Sequence, residues 1–267
     1  MKMYISVFRI RFINNLQYRA VAFSGIITNF LWGLMQILAF RAIYRSGNSN
    51  LPMEFSQTVS YIWMSQALIV LFKVVFGDEE IYSAIRTGSI AYELVRPMDL
   101  YGRWFCQSAA NRVAFTMLNG FPALLVAFIM PKQYRMSLPH NFGVFFLFLL
   151  STVLALCVVV AFAMLIYISL FYTLSHRGIK IIVTAFTTFL SGGVIPLPFF
   201  PEQVLTVVEL LPFAAMQNMP LRIYTGDIVG ADALKGIAFQ VFWFSALLLI
   251  GQFTMRRTLK KVIVQGG

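Results

Sequence analysis

Hydrophobic residues fall into six long runs separated by short polar breaks: residues 20–44, 59–77, 105–130, 142–172, 179–195 and 236–255. A helix needs about 20 apolar residues to cross the hydrocarbon core, so each run predicts a transmembrane helix. The fourth is longer than a bilayer requires. At ~1.5 Å per residue it must tilt or protrude into an aqueous face. Residues 196–220 are also apolar but are interrupted by Pro196, Pro198, Pro201, Pro212 and Pro220. That segment is too broken for a seventh span and too greasy for a free loop, and it predicts short re-entrant or interfacial helices. Ahead of the first run, Ile5, Phe8, Phe12 and Leu16 recur at helical spacing within residues 1–19. Arg9 and Arg19 interrupt that face, so an interfacial helix with snorkelling basic side chains is expected. The pattern predicts an all-α integral membrane protein whose residues 1–267 form a single domain, without internal repeat or low-complexity tract.

Composition supports the bilayer as solvent. Hydrophobic residues make up 59% of the 267 and charged residues only 12%, against about a quarter charged in soluble domains. The net charge of +11 raises nucleic acid as a partner. The cations, however, sit in short clusters beside apolar runs, and no basic, aromatic surface domain remains to bind it, so nucleic acid is excluded. With both termini cytoplasmic, the cytoplasmic segments hold about twice as many Lys and Arg residues as the opposite face, as the positive-inside rule requires. An even number of spans keeps both basic ends on that side. Polar and basic residues continue to Arg19 without a cleavable small-residue site, so no signal peptide is expected.

Little in the chain suggests catalysis. Cys106 and Cys157 fall in or beside predicted spans and read as packing residues. His140 and His176 lie in loops assigned to opposite faces, and no Ser-His-Asp or Cys-His arrangement is available. The run Asp78-Glu79-Glu80 could hold a magnesium-diphosphate group, but no second acidic cluster completes such a site, so no metal site is expected. Arg112 lies several residues inside the third run, where a charge costs ~2.5–3.5 kcal/mol on insertion scales. Snorkelling to the inner surface, only about two turns away at Arg103, is the simpler account, and a place in an inward-facing cavity is the other. Lys73 is expected to snorkel as well. Asn29, Gln36, Gln66, Asn111, Asn119 and Gln240 read as helix–helix contacts, any one of which could face a pathway.

The segment 78–100 is the richest in information. Asp78 suits a helix cap, Glu79 and Glu80 complement the positive end, Arg86 falls in the last turn, and Gly88 follows it. A second helical piece from Ile90 must stop before Pro97. Ile81, Ile85, Leu94 and Val95 alternate with Glu93, Arg96 and Asp99. The segment is either a solvated loop or a docking surface, and its apolar-plus-charged character suits docking to another protein. On the opposite face, Gly192-Gly193 and the prolines after it form either a tight turn or an outward gate. In a gate, Phe199, Phe200, Phe213 and Met216 would meet substrate or outer-leaflet lipid.

Two stretches, Gly88-Ser-Ile-Ala-Tyr-Glu-Leu-Val-Arg-Pro97 and Ser191-Gly-Gly-Val-Ile-Pro-Leu-Pro-Phe-Phe-Pro201, carry a family resemblance. Leu211-Pro-Phe213 and Pro220-Leu-Arg-Ile-Tyr-Thr-Gly226 follow at the expected distance. Over essentially its full length the chain resembles the permease subunits of ATP-binding-cassette (ABC) transporters of the type-2 exporter class. The resemblance implies a cytoplasmic coupling helix between spans two and three, seated in a groove of an ATPase subunit. Asp78, Glu79, Glu80, Arg86, Gly88, Glu93, Leu94, Arg96 and Pro97 would serve that coupling. It also implies broken helices on the outer side, with Gly192, Gly193, Pro196, Pro198, Phe199, Pro201, Pro212 and Phe213 in the outer gate or re-entrant segment. Arg112 and Asn119 are pathway candidates. The wider class often carries Glu-Arg early in the inner loop, whereas here an acidic run precedes Ile81, which leaves open which acid contacts the ATPase.

No phosphate-binding G-x-x-x-x-G-K-[ST] loop occurs. On this resemblance ATP and magnesium belong to a separate ABC ATPase, and a second permease, identical or homologous, completes the pathway. The expected cargo is amphiphilic (a drug, antibiotic, lipid or glycan), and the location is a bacterial plasma or inner membrane, crossed several times. The rival is an ATP-independent secondary carrier or channel, which would need polar coupling residues near the bilayer midplane.

Overall fold

Asn141 shows how local chemistry sets the helix boundaries here. Its side chain accepts from the Val144 backbone N–H at 2.8 Å and starts a 28-residue helix, as expected of an N-cap. The computed structural model describes residues 2–17, 19–46, 51–77, 79–173 and 176–260, with backbone alone for 19–24, 26 and 176. Asp78, the expected cap of the inner segment, lies outside the described residues.

In chain order the helices are α1 (Lys2–Leu16), α2 (Arg19–Arg45), α3 (Phe55–Ala67), α4 (Ile69–Phe72), α5 (Glu79–Thr87), α6 (Ile90–Leu94), α7 (Leu100–Ile129), α8 (Phe142–Ser169) and α9 (His176–Leu190). A 3₁₀ turn (Leu197–Phe199), α10 (Glu202–Val208), a π-helical turn (Ala214–Asn218), α11 (Met219–Thr225) and α12 (Gly230–Leu259) complete it. No strand occurs among the described residues. Among them three helices, α7, α8 and α12, are long and apolar enough to cross a membrane.

The chain is apolar on its outside. Leu31, Trp32 and Met35 of α2, Phe142, Phe146 and Val153 of α8, Ile181 and Phe186 of α9, and Phe242 and Phe253 of α12 all face outward. Water does not tolerate so continuous an apolar surface on a monomer; lipid does. The second half of α8 is central, because four consecutive residues, Val158 to Ala161, are fully buried and four consecutive positions cover every side of a helix. One apolar cluster surrounds Trp104, Tyr167 and Ile81 beside α5 and α6. A second, around Trp63, Tyr61 and Phe148, fills the opposite end near α11.

Several helices depart from the runs that predicted them. The run 59–77 forms an interrupted helix, α3 and α4, whose helical path ends at Phe72. The backbone of α7 reaches the break between α3 and α4 at contact distance: a Cβ built on Gly120 would lie 2.5 Å from the Ala67 carbonyl oxygen. Pro122, two residues on, sits inside α7 and removes one ladder hydrogen bond. The run 236–255 lies within α12, which extends six residues further at its start. The N-terminal helix is present, and its inward side carries most of the expected apolar positions. Phe8, Phe12 and Leu16 are partly buried together with Tyr4, Val7, Arg11 and Asn15, whereas Ile5 is exposed. Polar contacts reinforce that side: Asn15 donates to Asn111 at 2.6 Å and Arg11 to Glu80 at 2.7 Å.

Candidate functional site

α5 is strongly one-sided. Ile81, Tyr82 and Ala84 are buried while Ser83, Arg86 and Thr87 face out. Glu79 and Glu80 occupy its first turn and Arg86 its last, as the helix dipole favours. Gly88 follows at φ +74°, a left-handed conformation that a side chain disfavours. α6 then runs from Ile90 to Leu94, and Asp99 accepts from Gly102 N–H at 2.8 Å to start α7.

The acids of this segment turn back onto the protein. Glu79 takes the Lys180 ammonium of α9 at 2.6 Å. Glu80 pairs with Arg11 of α1 at 2.6 Å and accepts from Gln107 of α7 at 3.2 Å. The hydrogen bond from Arg11 holds the Glu80 carboxyl below the ordinary carboxylate range, against an opposing contribution from burial. Glu93 accepts from the Trp104 indole at 2.6 Å and from Arg103 at 3.2 Å. What the segment offers outward is therefore Tyr92 (78% exposed), Val95 (82%), Leu94, Arg96 and Pro97. The sequence marks Glu93 and Arg96 as equivalent charges. In the fold one is an internal clamp and the other an outward cation. Trp104, Lys180 and Arg11 carry much of this geometry. Sequence spacing gives no sign of them, because each belongs to a different helix from its acidic partner.

Arg112 does not snorkel. Its side chain is fully buried. Nε donates to the Lys73 carbonyl at 3.0 Å, Nη2 to the Val74 carbonyl at 2.6 Å, and Nη1 to the Ser108 carbonyl at 3.1 Å and to the Ser108 hydroxyl. The Lys73 and Val74 carbonyls lie just past the end of α4, where a helix leaves acceptors unpaired and favours a cation. Asn111 extends the arrangement by donating to Gly77 O at 3.0 Å. Lys73 itself is exposed, as expected. Asn119 bonds within its own helix, to Phe115 O at 2.9 Å.

At the opposite end of α7 the chain breaks at Gly192, whose φ is +83°. Tyr61 of α3 donates to the Gly192 carbonyl at 3.2 Å, and Gln36 of α2 donates to Val194 O at 3.2 Å. Pro196 and Pro212 are buried, Gly193, Pro198, Phe199 and Phe213 are partly buried, and Pro201 is exposed. Phe199 packs edge-on against Phe40 of α2, and Phe213 against Phe162 of α8. Met216, expected to meet substrate or lipid, is fully buried in the π turn. The wide turn is held from two sides: Gln217 donates to Ser65 at 2.6 Å, and Gln240 of α12 donates to Ala215 O at 2.9 Å. Ser151 of α8 donates to Gln240 at 2.9 Å. Among the described residues no three His, Cys, Asp or Glu side chains gather as a metal site would need.

The ends of this bundle thus differ in kind: one presents a clamped, outward-facing helical tip, and the other a broken segment folded into the helices. The family model described as ABC-2 family transporter protein matches residues 11–266. The chain belongs to the ABC-2 transporter family. It is an ABC-2 type permease, a membrane transport component rather than a catalyst. A comparison with curated proteins gave no match. For an ABC-2 chain, both the tip at α6 and the break at Gly192 fall inside the matched region.

Proposed function

We propose that this chain is the membrane-spanning subunit of an ATP-driven exporter, with six spans formed by α2, the interrupted α3–α4, α7, α8, α9 and α12. Both termini and the α5–α6 segment face the cytoplasm, and the α10–α11 segment lies on the outer side of a bacterial plasma or inner membrane. α6 docks into a separate ABC ATPase, which binds ATP and magnesium. A second permease, identical or homologous, completes a pathway for an amphiphilic cargo.

The observation that carries this reading is the division of labour at α6. Glu93 is held by Trp104 and Arg103, so the outward residues Tyr92, Val95 and Arg96 stand on a fixed support. A fixed exposed patch of apolar side chains with a cation suits a protein groove. Connections to α1 through Arg11 and to α9 through Lys180 would carry a displacement of this segment into the bundle.

The test is co-purification with the candidate ATPase from membranes. Val95→Asp combined with Tyr92→Ala is expected to lose the ATPase while the protein inserts and melts normally. Undiminished co-purification and transport in that variant would remove the docking assignment. A cysteine at Tyr92 should resist a membrane-impermeant maleimide added to intact cells; rapid labelling there would reverse the orientation.

A further inference from the structure

Where the broken segment meets the start of α12, a cavity of about 470 Å³ opens between the π turn, α11 and α12. That volume falls within the ~300–1,000 Å³ of small-molecule sites. Its wall changes character along α12. Asp232 and Lys235 stand at the first turns, paired at 2.8 Å, and Gly236 and Phe239 lie further along the same helix. From Gly230 to Phe239 the wall descends ~14 Å at 1.5 Å per residue, from a charged rim to a phenyl ring. Phe239 itself packs against the buried cluster of Leu197, Phe200, Val208 and Ala214.

The charges of the rim do not balance. Arg222 of α11 is shared by two carboxylates, Glu209 at 2.9 Å and Asp227 at 2.5 Å. The Asp232–Lys235 pair is neutral, so five charged side chains leave one carboxylate in excess. Asp227 is nearly covered, whereas the Glu209 side chain is 44% exposed. Glu209 therefore has a free side toward the opening. A negative rim above an apolar wall matches a molecule with a positive head and an apolar body.

The geometry points to a binding site for an ammonium-bearing amphiphile, with the ammonium at Glu209 and the apolar body along Phe239 and along Met219, which covers Gly236. The inference deepens the transport reading by naming a cargo chemistry, and it rests on that reading only for its role in export. The ammonium belongs either to a membrane lipid headgroup such as phosphatidylethanolamine or to a free amphiphilic amine.

The full-length protein in phosphatidylglycerol nanodiscs, without ATP or ATPase, is titrated with radiolabelled dodecylammonium. Saturable binding is expected, competed by excess unlabelled amine and not by dodecyl sulfate. Glu209→Gln keeps the shape and removes the excess charge, so affinity should fall about tenfold, the worth of one charge-assisted contact. Lys235→Ala frees Asp232 and should tighten binding severalfold, a gain that misfolding does not produce. Displacement by phosphatidylethanolamine built into the discs identifies a lipid source, and its failure to displace identifies a free amine. Equal competition by dodecyl sulfate, or equal affinity in both variants and the parent, overturns the site. Because no nucleotide is present, loss of ATPase co-purification would refute the exporter while leaving this result intact.

Discussion

Trp104, in the second turn of α7, donates its indole N–H to the Glu93 carboxylate of α6 at 2.6 Å. Arg103 beside it reaches the other carboxylate oxygen at 3.2 Å. A five-residue helix has no stability of its own, so α6 persists because this clamp and the burial of Ile90 fix it to α7. The acid is partly shielded by protein, which makes the contact stronger than a solvated ion pair.

Glu93→Ala should release α6. The lost hydrogen bonds of a charged group are worth about 1.5–3 kcal/mol, and amide exchange over residues 90–96 is expected to rise accordingly. Tyr92→Ala, on the outward side, should leave that exchange unchanged. Equal protection in the Glu93→Ala protein would show that α6 is held by something else.

Arg112→Met should be among the most damaging single changes. It leaves the carbonyls of Lys73 and Val74 without their donors, and each buried acceptor left unsatisfied costs about 1–3 kcal/mol. A drop of several degrees in the melting temperature of the detergent-solubilised protein is expected. Arg112→Lys supplies one donor centre instead of three and should recover only part of it.

The docking of α1 should depend on acidity in one direction only. Glu80 has a depressed pKa because Arg11 donates to it. Its contribution is therefore complete above the ordinary carboxylate range and is lost as pH falls through the lowered value. Spin labels at the exposed Ile10 and Ser83 positions should keep one separation from about pH 8 to 5 and broaden only in medium more acidic than the ordinary carboxylate range. Glu80→Gln should abolish that step; an undiminished step in the variant would assign it to another group.

Gly192→Ala should strain the break after α9. A positive φ costs a side chain about 1–2 kcal/mol, and the added Cβ would sit 2.5 Å from the Tyr61 hydroxyl. Pairing it with Tyr61→Phe removes that clash, so the double variant should melt higher than the sum of the two single losses predicts. Strict additivity would mean that the hydroxyl and the glycine do not meet.

Local chemistry was legible where a single segment decides it. Glu79, Glu80, Arg86 and Gly88 mark the ends of α5 by dipole, charge and φ, and Pro97 stops α6 within a residue or two of its observed end. The prolines after Gly193 likewise announce short helices in place of a span. What stayed hidden depends on partners distant in sequence. Arg112 looked like a snorkelling side chain because nothing in its neighbourhood reveals that α4 ends beside it, some 40 residues earlier. The Asn15–Asn111 contact, which fixes α1 on α7, has no trace in the apolar spacing of Ile5, Phe8, Phe12 and Leu16. Met216 looked like a gate residue because an apolar side chain near prolines reads alike whether it lines an opening or fills a core.

The close approach of Gly120 to Ala67 has a mechanical consequence. α7 is about 45 Å long; backbone contact at Gly120 leaves no room for sideways slip there, and Pro122 weakens the ladder two residues on. A bend in α7 would therefore fall at that point, which stands ~30 Å from the Leu100 end and ~14 Å from the Ile129 end. An off-centre hinge of this kind would make the longer arm travel about twice as far as the shorter, so that a wide swing beside Trp104 would become a short one at the far rim.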